Sequence, residues 1–421
     1  PAVSPQVTAV IGDSVLGFQQ LQFTGDSWTG ELTITNEHPS GNASLSVSGA
    51  RDRRLNALVQ FDSTDVFLVD TETPRLIGTE PSNGASEIPT TTSQITLTFS
   101  EPIDPLVVTA DNFLIRLGVS PLAQLTDPSY DADSRTVTLL PEGGLLPGST
   151  YEVEASAAIA DLVGNRPDNA SIVRFSTRIP QLLSTVPPAN EVGTSLEDGR
   201  LTATFDAPIL TGLLAADPNA VQVLAADESQ PLLETPVFSV GNNTLSFALV
   251  DGLKPGTRYE VVLSSLLGGI LRLEEGDYSW SFQTPVPALA GSVPAAGDTT
   301  VSAATTAVVL QFDNPVDGTA LTPDAASVQE GGEQRTIQTV EYNPETLTVR
   351  IEPQGGLRAG SGYTVSLPRS IGGPQRDGPY TLRFSTAVPR VVALDPAADA
   401  QGVTVDLDEA SVLFSVPIDA D

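Results

Sequence analysis

Apolar and polar positions alternate over short runs along this chain. Leu21-Gln-Phe23, Trp28-Thr-Gly-Glu-Leu-Thr-Ile34 and Ala43-Ser-Leu-Ser-Val-Ser48 each place every second side chain on one face. That is the period of a half-buried strand. Elsewhere short β-branched runs are broken by Pro, Gly, Asp and Asn every 8–12 residues, the pattern of an all-β sandwich or barrel. No amphipathic helix of three or more turns is predicted. Leu213-Leu214-Ala215-Ala216 is long enough for a helical turn only.

The pattern repeats. Thr73-Pro74-Arg75-Leu76, Ile179-Pro180-Gln181-Leu182, Val286-Pro287-Ala288-Leu289 and Val388-Pro389-Arg390-Val391 open four segments, their prolines 106, 107 and 102 residues apart. A second proline follows each first by seven residues, at Pro81, Pro187, Pro294 and Pro396. Each opening leads to an apolar strand ending in phenylalanine: Phe99-Ser-Glu-Pro-Ile103, Phe205-Asp-Ala-Pro-Ile209, Phe312-Asp-Asn-Pro-Val316 and Phe414-Ser-Val-Pro-Ile418. Three segments continue through Leu-x-(Pro/Ala)-Gly-x-x-Tyr, ending at Tyr151, Tyr259 and Tyr363, and close on Phe175-Ser-Thr177, Phe282-Gln-Thr284 and Phe384-Ser-Thr386.

These residues have physical reasons. A boundary proline cannot join a ladder, so one sheet ends where the next begins. Phe99, Phe205, Phe312 and Phe414 are expected to put their rings into the cores. The Tyr151, Tyr259 and Tyr363 elements have the order of a tyrosine corner, whose hydroxyl bonds back to nearby backbone.

The repeat resembles the bacterial Ig-like domain first described in S-layer proteins, over residues 73–421. The match is fullest in the first repeat, which carries Phe99-Ser-Glu-Pro-Ile-Asp104 and Asp161-Leu-Val-Gly-Asn165; the second and third lack the latter element. Residues 1–72 are similar to another bacterial Ig-like group. They share Ala50-Arg-Asp52, Asn56 and Phe67-Leu-Val-Asp70-Thr-Glu-Thr-Pro74, with Leu55 where that pattern has glycine. The resemblance implies tandem immunoglobulin-like β-sandwiches in an elongated array. The expected division is an Ig-like domain at 1–72 with a strand short at its start, repeats at 73–178, 179–285 and 286–387, and the start of a fourth at 388–421.

Composition narrows the chemistry. The 421 residues include no Cys, no Met, one His and 52 acids against 20 Lys plus Arg, a net charge of −32. Without cysteine there are no disulfides and no thiolate metal site. A field this negative repels phosphate, so nucleic acid is excluded as a partner. No run of 18 apolar residues marks a membrane span. Lys254 is the single lysine and His38 the single histidine, placed in the turn Asn36-Glu-His-Pro-Ser40. Trp28 and Trp280 are read as core residues. The missing methionine and the unfinished fourth repeat are expected of a stretch from a longer repetitive protein.

Acidic groups are the only candidate chemistry, with Ca²⁺ as the cofactor to consider because hard cations need several oxygens. Three places are singled out: Asp70 with Glu72 at the first boundary, Glu101 with Asp104 around Pro102, and the Asp131/Asp133 pair in a turn. Asp317 and Asp419 recur at the Asp104 position. No carboxylate pair lies in a catalytic motif, so no enzyme activity is expected within these residues.

The function expected is a non-catalytic structural part of an exported bacterial cell-surface protein, a stalk, fibre or spacer. Its partners would be other domains or copies of the same protein, or surface glycans. The alternatives are a spacer in a secreted enzyme and a carbohydrate-binding adhesin module. Strand donation from another chain to the fourth segment is a further alternative.

Overall fold

The computed structural model describes residues 3–416 apart from 25, 119, 122–127, 142, 197–198, 227–228 and 404–408; of residues 120 and 121 only the backbone is described. Pro417, Ile418 and Asp419 lie outside the described residues. The chain divides into two units, one comprising 1–179 with 269–271, the other 180–268 with 272–421.

In the first unit, the strands before repeat 1 form one four-stranded sheet and a hairpin. The sheet order is Ser14–Gly17, Gln6–Ile11, Gly41–Ser48, Phe61–Val69, and Gln19–Thr24 pairs with Ser27–Glu31. The core here is small: Ala9, Ile11, Leu16, Ala43 and Val69. Residues 52–56 form a turn in which Leu55, standing where the pattern has glycine, takes φ 67°. Asp52 holds it, accepting the Arg54 and Asn56 N–H groups at 2.8 and 2.9 Å and the Asn56 side chain at 2.8 Å.

Each complete repeat is a two-sheet sandwich. In repeat 1 one sheet runs Ser129–Asp131, Thr136–Leu139, Ile95–Phe99, Leu76–Glu80; the other runs Ser120–Pro121, Phe113–Leu117, Thr150–Ala155, Ser171–Ser176. This is the two-sheet antiparallel architecture of an immunoglobulin sandwich. Repeats 2 and 3, in the second unit, are built the same way, repeat 2 with three strands in its second sheet among the described residues. Alternation decides the faces: in Ile95–Phe99 positions 95, 97 and 99 are buried and the threonines between them are not. Leu213–Ala216 lie in a five-residue helix, Gly212–Ala216. Val391–Asp395 and Ser411–Phe414 pair as a two-stranded sheet.

The repeated motifs have repeated bonds. Phe99, Phe205 and Phe312 are each at most 2% exposed, and Phe414 is half-buried. The residue after each phenylalanine ties down the incoming chain. Ser100, Asp206, Asp313 and Ser415 accept the N–H of Arg75, Gln181, Ala288 and Arg390 at 2.7–3.0 Å, and return their own N–H to the same residue's carbonyl. At the three Leu-x-(Pro/Ala)-Gly-x-x-Tyr elements the hydroxyls of Tyr151, Tyr259 and Tyr363 accept the N–H of Leu146, Lys254 and Arg358 at 2.7, 2.8 and 2.7 Å. The closing threonines complete them. Thr177, Thr284 and Thr386, all buried, donate to the carbonyls of those same three residues at 2.6, 2.7 and 2.5 Å. Both backbone groups of one corner residue are thus satisfied by side chains. The second proline of every opening follows a cis peptide bond.

Candidate metal centre

The boundary between the first domain and repeat 1 gathers three carboxylates. Asp70 follows Phe61–Val69, Glu101 follows Ile95–Phe99, and Asp161 stands in the loop after Thr150–Ala155. Each offers an oxygen within 4.8 Å of the others. Asp161 is 3% exposed, and the other two are half-buried.

The loop geometry sets Asp161 in place. One of its oxygens accepts the N–H groups of Val163, Gly164 and Asn165 at 2.8, 2.6 and 2.9 Å, and the other accepts the Asn165 side chain at 2.8 Å. The same amide nitrogen donates to the Asp70 carbonyl at 3.0 Å, so Asn165 joins the loop to the incoming chain. This Asp-x-x-Gly-Asn clamp matches the Asp52–Asn56 turn of the first domain. Asp70 is braced in turn by the Glu72 N–H at 3.1 Å.

Glu101 is the unsettled member. Its Oε1 is buried and accepts no hydrogen bond from the described residues. Burial pushes its carboxyl above the ordinary range, and the nearby charges of Asp70, Asp161 and Glu72 add to the rise against the opposing Arg75. Three carboxylates with one unsatisfied buried oxygen suit a hard divalent cation, which takes oxygen ligands and offsets their repulsion. Nitrogen or sulfur donors are not part of the set, so its chemistry favours Ca²⁺ over zinc.

Of the residues read from the sequence, Asp70 and Glu101 meet here. Glu72 lies beside them, exposed, with its backbone bonded to Asp70. The Asp104 carboxylate is not one of the three and instead caps the 3₁₀ turn Pro105–Val107, accepting the Leu106 N–H at 2.9 Å. Asp317 does the same for Gly318–Ala320. Asp131 holds its own turn, accepting from the Ser134 hydroxyl at 2.9 Å and the Asp133 N–H at 3.0 Å. Those bonds, the Ser134 one foremost, lower its pKa. Asp131 and Asp133 are not brought to the other acids. Asp161 is not among the acids singled out from the sequence, although its motif is visible there. The usable signal was co-occurrence: Glu101 and Asp161-Leu-Val-Gly-Asn165 are both present in repeat 1 and both absent from repeats 2 and 3.

His38 is a turn residue whose Nδ1 accepts the Thr35 N–H at 3.0 Å. Trp280 is 5% exposed in the core of repeat 2, and Trp28 packs edge-on to Phe18 at 5.1 Å. Among the described residues no helix is long and apolar enough to cross a membrane.

The bacterial Ig-like domain matches the chain three times in tandem, at residues 70–177, 176–284 and 285–386. No curated protein matches it. Among solved structures it is similar to the N-terminal part of the bacterial S-layer protein SbsC at 16% identity and TM-score 0.22, covering 51% of this chain and 45% of that one. It is also similar to titin domains I67–I69 at 11% identity and TM-score 0.24, covering 75% and 98%. A third is the Bacteroides ovatus SGBP-B, solved with a mixed-linkage heptasaccharide, at 12% identity and TM-score 0.18, covering 76% and 72%. The chain spans about half the length of the S-layer proteins it matches. With three tandem matches over most of its length, the chain belongs to the bacterial Ig-like domain family.

Proposed function

We propose that this chain is a structural, non-catalytic part of an exported bacterial cell-surface protein, in which tandem Ig-like domains act as a spacer or display element. The observation that carries the reading is repetition of the joints as well as of the cores. Every complete repeat closes its outgoing end the same way: Gly148, Gly256 and Gly360 donate their N–H to the Arg178, Pro285 and Ala387 carbonyls at 2.9, 2.8 and 3.0 Å. A protein whose role is spacing needs its joints specified, since a loose linker transmits neither distance nor direction. The net charge of −32, spread over successive domains, supports solubility outside the cell. Small-angle scattering of the 421-residue chain is expected to give an elongated particle; a compact one would overturn the reading.

The carboxylate group at the first boundary supports a second element of the proposal: Ca²⁺ held by Asp70, Glu101 and Asp161 joins the first domain to repeat 1. When bound, the ion supplies charge neutralisation at a place where three acids converge. The chain's part is to hold Asp161 with backbone N–H groups and to present the free oxygen of Glu101.

A further inference from the structure

The linker between repeats 2 and 3 is gripped by both domains. From repeat 2, the Gly256 N–H donates to the Pro285 carbonyl at 2.8 Å. Two residues on, the Pro287 carbonyl accepts the Tyr380 hydroxyl of repeat 3 at 2.7 Å. Tyr380 is 2% exposed and stands edge-on to Phe312 at 5.0 Å. The Arg376 guanidinium lies over its ring, 4.0 Å from the centre, with Nε anchored on the Gly378 carbonyl at 3.1 Å.

Glycines make the fit possible. A Cβ on Gly372 would overlap the Tyr380 hydroxyl. Its neighbour Gly373 faces the other domain at φ 83°, where a Cβ would overlap the Pro255 carbonyl of repeat 2. Gly256, at φ 52°, comes so close that a Cβ there would overlap the Gly372 carbonyl. The contact is sealed by the Gln375 N–H, which donates to the Gly256 carbonyl at 3.2 Å. One short loop of repeat 3 thus receives its own tyrosine on one side and the corner turn of repeat 2 on the other.

The tyrosine half of this arrangement recurs in repeat 2. The Tyr278 hydroxyl donates to the Pro180 carbonyl at 2.7 Å, Arg272 lies 4.0 Å over the ring, Phe205 packs edge-on at 5.2 Å, and a Cβ on Gly268 would overlap the hydroxyl. Two independent occurrences of the same four residue types argue for one device.

We propose that Gly256, Gly372, Gly373 and Tyr380 form a lock that fixes the angle between repeats 2 and 3, with the Tyr380 hydroxyl as the positioning group for the linker. The lock deepens the spacer reading and rests on it for its purpose, whereas its existence is tested separately. Because the chain has no cysteine, the exposed residues Asn242 and Asp324 can be changed to cysteine in the full chain and spin-labelled without background. The distance between them is expected to give one narrow peak. Tyr380→Phe, Gly373→Ala and Gly256→Ala are each expected to lose that peak to a broad distribution while the melting transition of repeat 3 persists. A broad distribution in the parent chain, or a narrow one in all three variants, overturns the lock. Unfolding of repeat 3 by Tyr380→Phe also overturns it, by assigning the hydroxyl to domain stability. An elongated particle with a broad distance distribution would sink the lock and leave the spacer reading standing.

Discussion

The chain arriving at repeat 1 passes three carboxylates and an asparagine; the chain arriving at repeat 3 passes a tyrosine hydroxyl, an arginine and two glycines. The two sites stand on corresponding backbone. The N–H of Asp104, Leu210 and Asp317 donates to the carbonyl of Ala160, Leu267 and Ile371, and the residue after that carbonyl is Asp161, Gly268 and Gly372 respectively. Where repeat 1 has a carboxylate, repeats 2 and 3 have no side chain, and a tyrosine hydroxyl lies in the room this leaves. Repeat 1 has Ser171 where those tyrosines begin the last strand. One fold therefore holds its incoming chain by two chemistries. The tyrosine version is complete with groups of the chain itself. The carboxylate version leaves the Glu101 oxygen without a hydrogen-bond partner among the described residues.

The contrast can be broken most forcefully at Tyr380. Tyr380→Ala removes a buried ring and is expected to cost repeat 3 about 3–5 kcal/mol in denaturant melts. A loss below about 1 kcal/mol would mean that the tyrosine version is not self-sufficient.

Calcium tests the other side. At about a hundredfold above its dissociation constant the ion is expected to stabilise the first boundary by about 2.7 kcal/mol, against no shift in repeats 2 and 3. A shift shared by all transitions would end the contrast. Glu101→Gln sharpens it: the response to calcium is expected to disappear, while the variant melts above the parent in chelator because one of three like charges is gone. The pH dependence follows in sign. The folded-state pKa of Glu101 is raised, so without calcium the folded state binds the extra proton. Stability of this part should fall as pH rises from 4.5, the unperturbed value, through the raised one, and Glu101→Gln should flatten that fall.

The smallest effect compares the two Asp-x-x-x-Asn clamps of the first unit. Gly164 takes φ 98° without strain, whereas Leu55 is held at φ 67°. Leu55→Gly is expected to stabilise the first domain by about 1 kcal/mol, read as a small rise in its melting midpoint. No gain would show that the leucine side chain contributes there.

Much of this was legible along the chain. The phenylalanines, the corner tyrosines and the closing threonines recur at fixed spacing, and their bonds are local to one sandwich. Two of the three carboxylates of the candidate site were legible too, since Glu101 adjoins Pro102 and Asp70 lies at the boundary ahead of Pro74. Asp104, Asp131 and Asp133 looked equally suitable because an acid that caps a turn and an acid that faces other acids have the same local sequence. The roles of Tyr278 and Tyr380 are not legible along the chain, because their partners Pro180 and Pro287 are 98 and 93 residues away.

The sequence by itself determined the class of fold, the repeat and the phenylalanines that enter the cores of the three complete repeats, because alternation and turn residues act over a few neighbours; it misjudged Leu21 and Phe23, whose strand Gln19–Thr24 is exposed throughout. Only the tertiary structure decided which acids converge and which glycines are needed for contact. Asp161 meets Asp70 and Glu101 through a loop that closes across the sandwich, and Gly372 and Gly373 matter for the atoms that approach them from elsewhere. Such approaches depend on how separate strands and turns pack, and spacing along the chain carries no record of them.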